Sequence, residues 1–385
     1  MKSLRQILSV TAVGLATVPQ RRSTAFVIFM GMMSVVAVLV SMLSIVAGIV
    51  QASVGSLDRR LVIVLDRSSI NEWGGSISRA AFDTLADAPG IAKGPGGMLL
   101  ADPGFSRGLP PAEGFVSGSL QLKALGPAGL AMHPSLRIVA GRMFRSGKQE
   151  AVIGQTISRK FHMPVGSTIS MPGGDWPIVG VFADNGSIFE SALLADTQTI
   201  MQATRGTSFT MALVKLSSPS DFPRFEQWVT HNPALSLSAE RLPDYERRMA
   251  LRGMGFFTKM TYVIAAIMAL GALFGTVKNM YAAVRARTRE IGTLRAIGYG
   301  GVPVAVSVVA EAVIISVLGA MAGILLAWLV FDGHEIYLGG IYKLRVTWSL
   351  VTMGLAWAVG VSLLGGVLPA VRAAHIPAAE ALRAA

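Results

Sequence analysis

The sequence predicts a membrane protein of four transmembrane helices, with a large α+β periplasmic domain inserted between helices 1 and 2. The 385-residue chain is 52% hydrophobic and only 15% charged, whereas soluble domains carry about 25% charged residues. Four long stretches are almost free of charge, and the segment between the first two holds 20 Lys or Arg and 17 Asp or Glu. This composition excludes a disordered chain. The absence of cysteine excludes a disulfide scaffold.

Each uncharged stretch is long enough to cross a hydrocarbon core of about 30 Å, which needs roughly 20 helical residues. The first is too long for the apolar core of a secretory signal peptide, so we expect an uncleaved helix. Glu311 is the only acidic residue inside a predicted span. The predicted transmembrane helices are residues 24–50, 254–277, 301–331 and 346–371.

Residues 51–253 are predicted to form the inserted α+β domain. Short apolar runs indicate strands, and Pro-Gly-Gly and Asp-Asn-Gly sequences indicate the turns between them. About 200 residues suffice for a hydrophobic core of their own. The clearest predicted strands are residues 60–65, 150–153, 178–182 and 211–216.

The distribution of charge predicts the orientation. Residues 1–23 and the loop 278–300 each carry +4, the tail 372–385 carries +1, and the loop 332–345 sums to zero. Short loops rich in Lys and Arg stay in the cytoplasm. We therefore expect both termini and the 278–300 loop inside, and the inserted domain and short 332–345 loop outside. The net charge of +12 is then mostly a topology signal and not a nucleic-acid footprint.

The N-terminal segment 1–23 intersperses apolar with basic residues before Pro19. It is predicted either as an amphipathic helix on the inner membrane surface or as a basic topogenic tail.

The 278–300 loop contains the most informative motif, Arg-Thr-Arg-Glu-Ile-Gly-Thr-Leu-Arg-Ala-Ile-Gly. A short helix here places Ile291 and Leu294 on a narrow apolar side, beside Glu290 and Arg295. Gly298 would end that helix, as glycine commonly does. Such a helix can dock on a cytoplasmic partner. Alternatively, its arginines only mark topology.

This motif resembles the coupling segment of MacB/FtsX/LolC-type ABC permeases. The resemblance extends over the whole chain, and it is stronger in residues 260–385 than in 51–250. The chain end resembles the family's Pro-Ala-x-Arg-Ala-Ala ending, and the matching positions are Pro369, Arg372, Pro377, Ala381, Leu382 and Arg383.

The resemblance implies a mechanism called mechanotransmission. In this family the coupling segment inserts into a groove of a cytoplasmic ATPase, and two permease chains, identical or paralogous, each bind one ATPase. Stalk helices then carry the movement to the periplasmic domains. The residues implied to contact the ATPase are Arg289, Glu290, Ile291, Leu294, Arg295 and Gly298.

The implied task is efflux through a periplasmic adaptor and an outer-membrane channel, or extraction of lipids or lipoproteins from the bacterial inner membrane. The alternative is an FtsX-like signal relay that controls a periplasmic partner such as a cell-wall hydrolase. Membrane lipids are expected contacts in either case, and nucleic acid is not.

The sequence contains no Gly-x-x-x-x-Gly-Lys-[Ser/Thr] loop, the motif that cradles ATP phosphates. We therefore expect a non-catalytic permease that binds no cofactor, with ATP and Mg²⁺ held by a separate ATPase chain. The five histidines show no metal-ligand spacing, so no metal site is expected.

Further predictions concern packing and the stalk. The pairs Gly271/Gly275 and Gly319/Gly323 would allow close helix approach; the resemblance favours the first pair for contact with a second chain. Glu311 is interpreted as a link to Arg285 or Arg295, or as a residue at the inner headgroups. The stalk helices are predicted at residues 51–60 and 243–259. The second contains mixed polar residues suited to a solvent-bathed continuation of the span, namely Tyr245, Glu246, Arg247, Arg248 and Arg252.

Overall fold

The computed structural model describes residues 22–55, 57–109, 120–286, 288, 292–293, 300–337 and 341–375. Within them the chain divides into two compact units. The membrane unit comprises the chain up to Ala47, Met254–His334 and the chain from Leu344 onward. The ectodomain comprises Gly48–Gly253 together with Glu335–Lys343.

The described α-helices include four that are long and apolar enough to cross a membrane, namely α1, α8, α9 and α10. The predicted class, four transmembrane helices with a large α+β domain between the first two, is confirmed. The helices are α1 (Arg22–Val54), α2 (Arg79–Ala86), α3 (Pro127–Met132), α4 (Gln155–Lys160), α5 (Thr197–Ala203), α6 (Phe222–His231), α7 (Leu242–Gly253), α8 (Gly255–Ala286), α9 (Gly301–Phe331) and α10 (Trp348–Ala374).

All the described strands belong to the ectodomain, where the four predicted strand segments each overlap an observed strand. They are β1 (Leu61–Asp66), β2 (Ile77–Ser78), β3 (Ala101–Leu109), β4 (Leu120–Leu125), β5 (Arg137–Gly141), β6 (Ala151–Gly154), β7 (Thr168–Met171), β8 (Gly174–Ala183), β9 (Ala192–Asp196), β10 (Ser208–Phe209), β11 (Met211–Lys215), β12 (Leu237–Arg241), β13 (Glu335–Tyr337) and β14 (Ile341–Lys343).

Ten of these strands form one mixed sheet in the order β12-β1-β11-β3-β4-β9-β6-β8-β5, with β7 also paired to β8. The β4–β9 and β6–β8 pairs are parallel. Apolar clusters cover the sheet: one contains Leu122 and Trp176, and another contains Val62 and Phe225. Strand β4 lies in the middle of the sheet, so it is well placed to pass a displacement to either side.

The membrane unit is built on small residues. The large apolar side chains of α1, such as Met32 and Leu39, pack against alanines of the other spans, including Ala265, Ala320 and Ala358. Small residues at helix interfaces let backbones approach closely in a membrane, where van der Waals packing drives association.

The stalk prediction is only partly right. Helix α1 ends at Val54 and β1 begins at Leu61, so most of residues 51–60 is not helical. The second predicted stalk segment is helical, with a turn at Met254 between α7 and α8.

The expectation of a solvent-bathed second stalk holds for Arg247 and Arg252, which are exposed, and is wrong for Tyr245 and Glu246. Tyr245 is only 2% exposed, and the Glu246 side chain is 19% exposed. The sequence misled because α7 mixes polar and apolar residues without showing which side packs on the sheet.

The predicted loop 332–345 contains a hairpin. Strands β13 and β14 pair antiparallel, with Ile336 opposite Tyr342, and residues 335–343 group with the ectodomain. Three-residue strands carry too little alternation to be distinguished from a loop. The hairpin gives the chain from α9 to α10 its own connection to the ectodomain.

Candidate functional site

The predicted ATPase contacts Arg289, Glu290, Ile291, Leu294, Arg295 and Gly298 lie outside the described residues. So do Pro377, Ala381, Leu382 and Arg383 of the C-terminal motif. Their roles stay predictions, and the described geometry concerns the helices on either side of them.

The helix ends that flank the predicted coupling segment contact one another. The Arg372 guanidinium of α10 lies 5.6 Å from the ring centroid of Tyr281 on α8, a cation–π distance. A Cβ atom on Gly301, the first residue of α9, would lie 2.7 Å from the Ala374 carbonyl oxygen. Pro369 is buried in α10 one turn earlier. The ends of α8 and α10 therefore contact each other, and the start of α9 contacts α10.

Gly319 and Gly323 hold α9 directly against α1. A Cβ on Gly319 would clash with the carbonyl oxygen of Phe29, and one on Gly323 with that of Met33. Because backbone atoms cannot rotate away as a side chain can, only glycine permits this approach. This pair packs helices within one chain.

Gly271 and Gly275 of α8 face open space instead. A Cβ on either glycine would meet no described atom within 4 Å. The pair does not pack α8 against another described span of the same chain. Its predicted contact with a second chain stays a prediction.

Glu311 is the eleventh residue of α9, about 15 Å along the helix from its start. Its side chain is partly buried. The predicted link to Arg285 or Arg295 stays a prediction, and Arg295 lies outside the described residues.

A largely buried ionic group, the Lys123 cluster, lies in the ectodomain and consists of Lys123, Glu72 and Glu246. The Lys123 Nζ is 3.4 Å from Glu72 Oε1 and 3.9 Å from Glu246 Oε1. The exposed fractions of the three side chains are 19%, 9% and 19%. One ammonium group thus pairs with two carboxylates that are largely shielded from bulk water.

This arrangement shifts the protonation of its members. Burial raises the pKa of Glu246 to about 7; the Glu72 charge raises it too, while Lys123 opposes them. Burial alone would lower the pKa of Lys123, but attraction to Glu72 and Glu246 outweighs it and raises that pKa. The Glu246 carboxyl group therefore keeps its proton to a higher pH than an exposed glutamate does.

The cluster borders a small cavity of about 60 Å³ where both stalk ends reach the sheet. Ala52 and Ser53 from the end of α1 line one part, and Leu242 and Glu246 from the start of α7 line another. His133 and Asp184 also face it. A movement of either helix end would therefore change the shape of this cavity.

Phe189 completes the surroundings of Lys123. Its ring stacks on His133 at a centroid distance of 4.6 Å, and the Lys123 Nζ lies 5.9 Å from its centroid. Burial lowers the pKa of His133 to about 4, so this histidine is neutral at physiological pH.

The sequence contained only a weak signal for the Lys123 cluster. Lys123 is the one charged residue of the strand Leu-Gln-Leu-Lys-Ala-Leu, but one lysine in a strand usually points to solvent. Its two partners are 51 and 123 residues away along the chain, so no local spacing brings the three together.

Two family descriptions match the chain. Residues 24–232 match the MacB-like periplasmic core domain, and residues 262–378 match the FtsX-like permease C-terminal domain.

Named relatives agree with these matches. The chain is 24% identical over 270 residues to the ABC transporter permease YknZ of Bacillus subtilis, covering 65% of this chain and 66% of YknZ. It is 35% identical over 122 residues to the macrolide export ATP-binding/permease protein MacB of Nitrobacter winogradskyi, covering 31% of this chain and 18% of that protein. MacB of Bdellovibrio bacteriovorus is 22% identical over 289 residues, covering 68% and 44% respectively.

The crystal structure of the extracellular domain of the transporter YknZ from Gram-positive bacteria covers 47% of this chain and 99% of its own, with 13% identity and a TM-score of 0.35.

Four helices able to span a membrane, with a mixed-sheet domain between the first two, define a multi-pass membrane protein with a large inserted domain. The family match to the core domain alone covers more than half of the chain. The chain belongs to the MacB/FtsX type of ABC transporter permeases. It spans less than two thirds of the length of each curated relative.

Proposed function

We propose that the chain is a permease subunit that couples ATP hydrolysis by a separate cytoplasmic ATPase to a conformational change of its ectodomain. The task that this mechanotransmission drives is efflux, or extraction of lipids or lipoproteins. ATP and Mg²⁺ belong to the ATPase, and this chain contributes no catalytic group.

The observation that carries the proposal is the pairing of two family matches on the two units. The FtsX-like match covers α8 to α10, including the loop with the coupling motif. The MacB-like match covers α1 and most of the ectodomain. Contacts among the ends of α8, α9 and α10 support the proposal, since a force applied to the intervening loop would reach all three helices together.

The expected assembly has two permease chains and two ATPase chains, with both termini and the 278–300 loop in the cytoplasm. Gly271 and Gly275 give α8 a surface without side chains. A helix of a second permease chain, identical or paralogous, could pack closely on this surface. An adaptor and an outer-membrane channel belong to the efflux version of the proposal only.

Mild-detergent purification of the full chain from its native membrane tests the proposal. We expect an ABC ATPase to co-purify. An adaptor and a channel in the same complex would indicate efflux, and lipid or lipoprotein would indicate extraction. A cell-wall hydrolase in their place would favour the signal relay. Purification without any ATPase, under conditions that preserve a known ABC complex, would contradict the proposal.

A further inference from the structure

The Lys123 cluster joins three separate parts of the ectodomain. Lys123 lies on β4 in the middle of the sheet, Glu72 lies between β1 and β2, and Glu246 lies on α7. Helix α7 leads, after a turn at Met254, into the membrane-spanning helix α8. The cluster is therefore a polar link between the end of the second stalk and the central strand.

Two further contacts hold α7 in place beside this link. The backbone N–H of Glu72 donates to the Tyr245 hydroxyl at 2.9 Å. Arg248 donates to both carboxylate oxygens of Glu240 on β12, at 3.1 and 2.6 Å. Burial raises the pKa of the Tyr245 hydroxyl, and the bond to Glu240 raises the pKa of the Arg248 guanidinium. Among the three contacts, the Lys123 cluster is therefore the one that we expect to respond to pH.

The hairpin β13–β14 also packs near the Lys123 cluster. Strand β14 packs beside the 3-10 turn Ile188–Ser191, and Phe189 of that turn lies against Lys123. Helix α7, which leads to α8, thus contacts Lys123 directly through Glu246, and the hairpin between α9 and α10 contacts the turn that carries Phe189.

The charges around Glu246 are unbalanced. Lys123 on β4 supplies the positive charge, while Glu72 and, across the cavity, Asp184 after β8 are acidic. Other titratable groups near the cluster are Tyr245 and Arg248 on α7 and the neutral His133 after α3. Lys215 on β11 also acts on His133, but its ammonium group is paired with Asp58 at 3.0 Å. A buried site with more carboxylates than ammonium groups favours uptake of a proton, because like charges cannot all ionise cheaply there.

We propose that the Lys123 cluster is the joint through which α7 moves the sheet. When the cluster takes up one proton, α7 is held against β4 and the joint is closed. When the cluster releases that proton, α7 loosens from β4 and the joint is open. This role rests on the proposed function, in which α7 transmits movement. Lys123, Glu72 and Glu246 are positioning residues here; they contact no substrate.

The direction of the pH effect follows from the raised pKa of Glu246. The folded protein binds the Glu246 proton more tightly than the unfolded chain does. The contribution of this proton to the stability of the folded state is therefore fully present at pH values below the pKa of an ordinary glutamate. It is lost as the pH rises through about 7. Acid therefore closes the joint, and mild alkali loosens α7 from β4.

Hydrogen exchange of the full chain in lipid nanodiscs tests the joint without any ATPase. After correction for intrinsic exchange rates, we expect α7 amides to be at least about threefold more protected at about pH 6 than at about pH 8.5. Glu246→Gln, which mimics the protonated acid, should keep α7 protected at both pH values. Lys123→Met should enlarge the difference, because two carboxylates then face each other without the ammonium.

The matched control is Glu226→Gln, which neutralises an exposed acid on α6 and should retain the wild-type pH dependence. The proposed proton control of the joint would be contradicted by equal hydrogen-exchange protection of α7 at both pH values in the wild type. An unchanged pH dependence in Glu246→Gln would contradict it as well.

A second readout separates the joint from the proposed function. In the complex with its ATPase, the pH profile of ATP-driven ectodomain movement should flatten in Glu246→Gln. If exchange behaves as expected and this profile is unchanged, the transmitting role is overturned. If the wild type shows no ATP-driven movement, the proposed function fails, and the exchange result still decides whether the joint is proton-controlled.

Discussion

A Leu294→Asp variant should insert normally into the membrane and lose ATP-driven transport by roughly 100-fold. The predicted coupling helix places Leu294 on its narrow apolar side, and a buried anchor at an interface can contribute 2 kcal/mol or more. A carboxylate there would have to be desolvated against the ATPase groove, which adds a further cost. Co-purified ATPase and transport in reconstituted vesicles are the quantities to measure.

Leu294→Met is the matched control, since a volume-conserving apolar change costs less than about 1.5 kcal/mol. It should retain most of the transport. Full transport and normal ATPase binding by Leu294→Asp would remove the coupling segment from the mechanism.

A Gly323→Val variant should destabilise the membrane unit by about 3 kcal/mol, at the upper end of ordinary overpacking costs. The added side chain would meet the Met33 carbonyl oxygen and the Ala37 backbone nitrogen on α1. Because the obstacle is backbone, α9 and α1 must separate. The expected result is a lower midpoint in thermal or denaturant unfolding of the detergent-solubilised chain.

Gly271→Val provides the comparison on a similar glycine pair. No described atom lies within 4 Å of the new Cβ, so the unfolding midpoint of the single chain should stay within the equivalent of about 0.5 kcal/mol. Equal destabilisation by both changes would mean that the packing between α1 and α9 is not as close as described.

The sequence allowed the architecture to be predicted because the signals for it are long. Each predicted span holds 24 or more residues with at most one charge, which indicates a membrane-spanning helix. The arginines of the 278–300 loop stand out against so few charges. The strands near residues 60, 150, 178 and 211 could be placed for a different reason. Each is a short apolar run bounded by turn residues.

The parts that escaped prediction depend on tertiary contacts. The sequence could not show that Glu246 faces Lys123 and not water, because this depends on how α7 packs against β4. The hairpin after α9 was missed because its strands are too short to show a period. Both glycine pairs have the same spacing, and only the positions of neighbouring helices distinguish Gly323, against backbone, from Gly271, in open space.

The central claim is that ATP binding by a partner changes the ectodomain through α7. The chain has no cysteine, so spin labels can be placed at will. Glu226→Cys on α6 and Arg252→Cys on α7 are both exposed positions within the ectodomain. The distance between these two labels, measured in nanodiscs with the bound ATPase, should shift by at least about 2 Å on addition of ATP. The shift should disappear in the Leu294→Asp background. An unchanged distance while the bound ATPase consumes ATP would contradict the account.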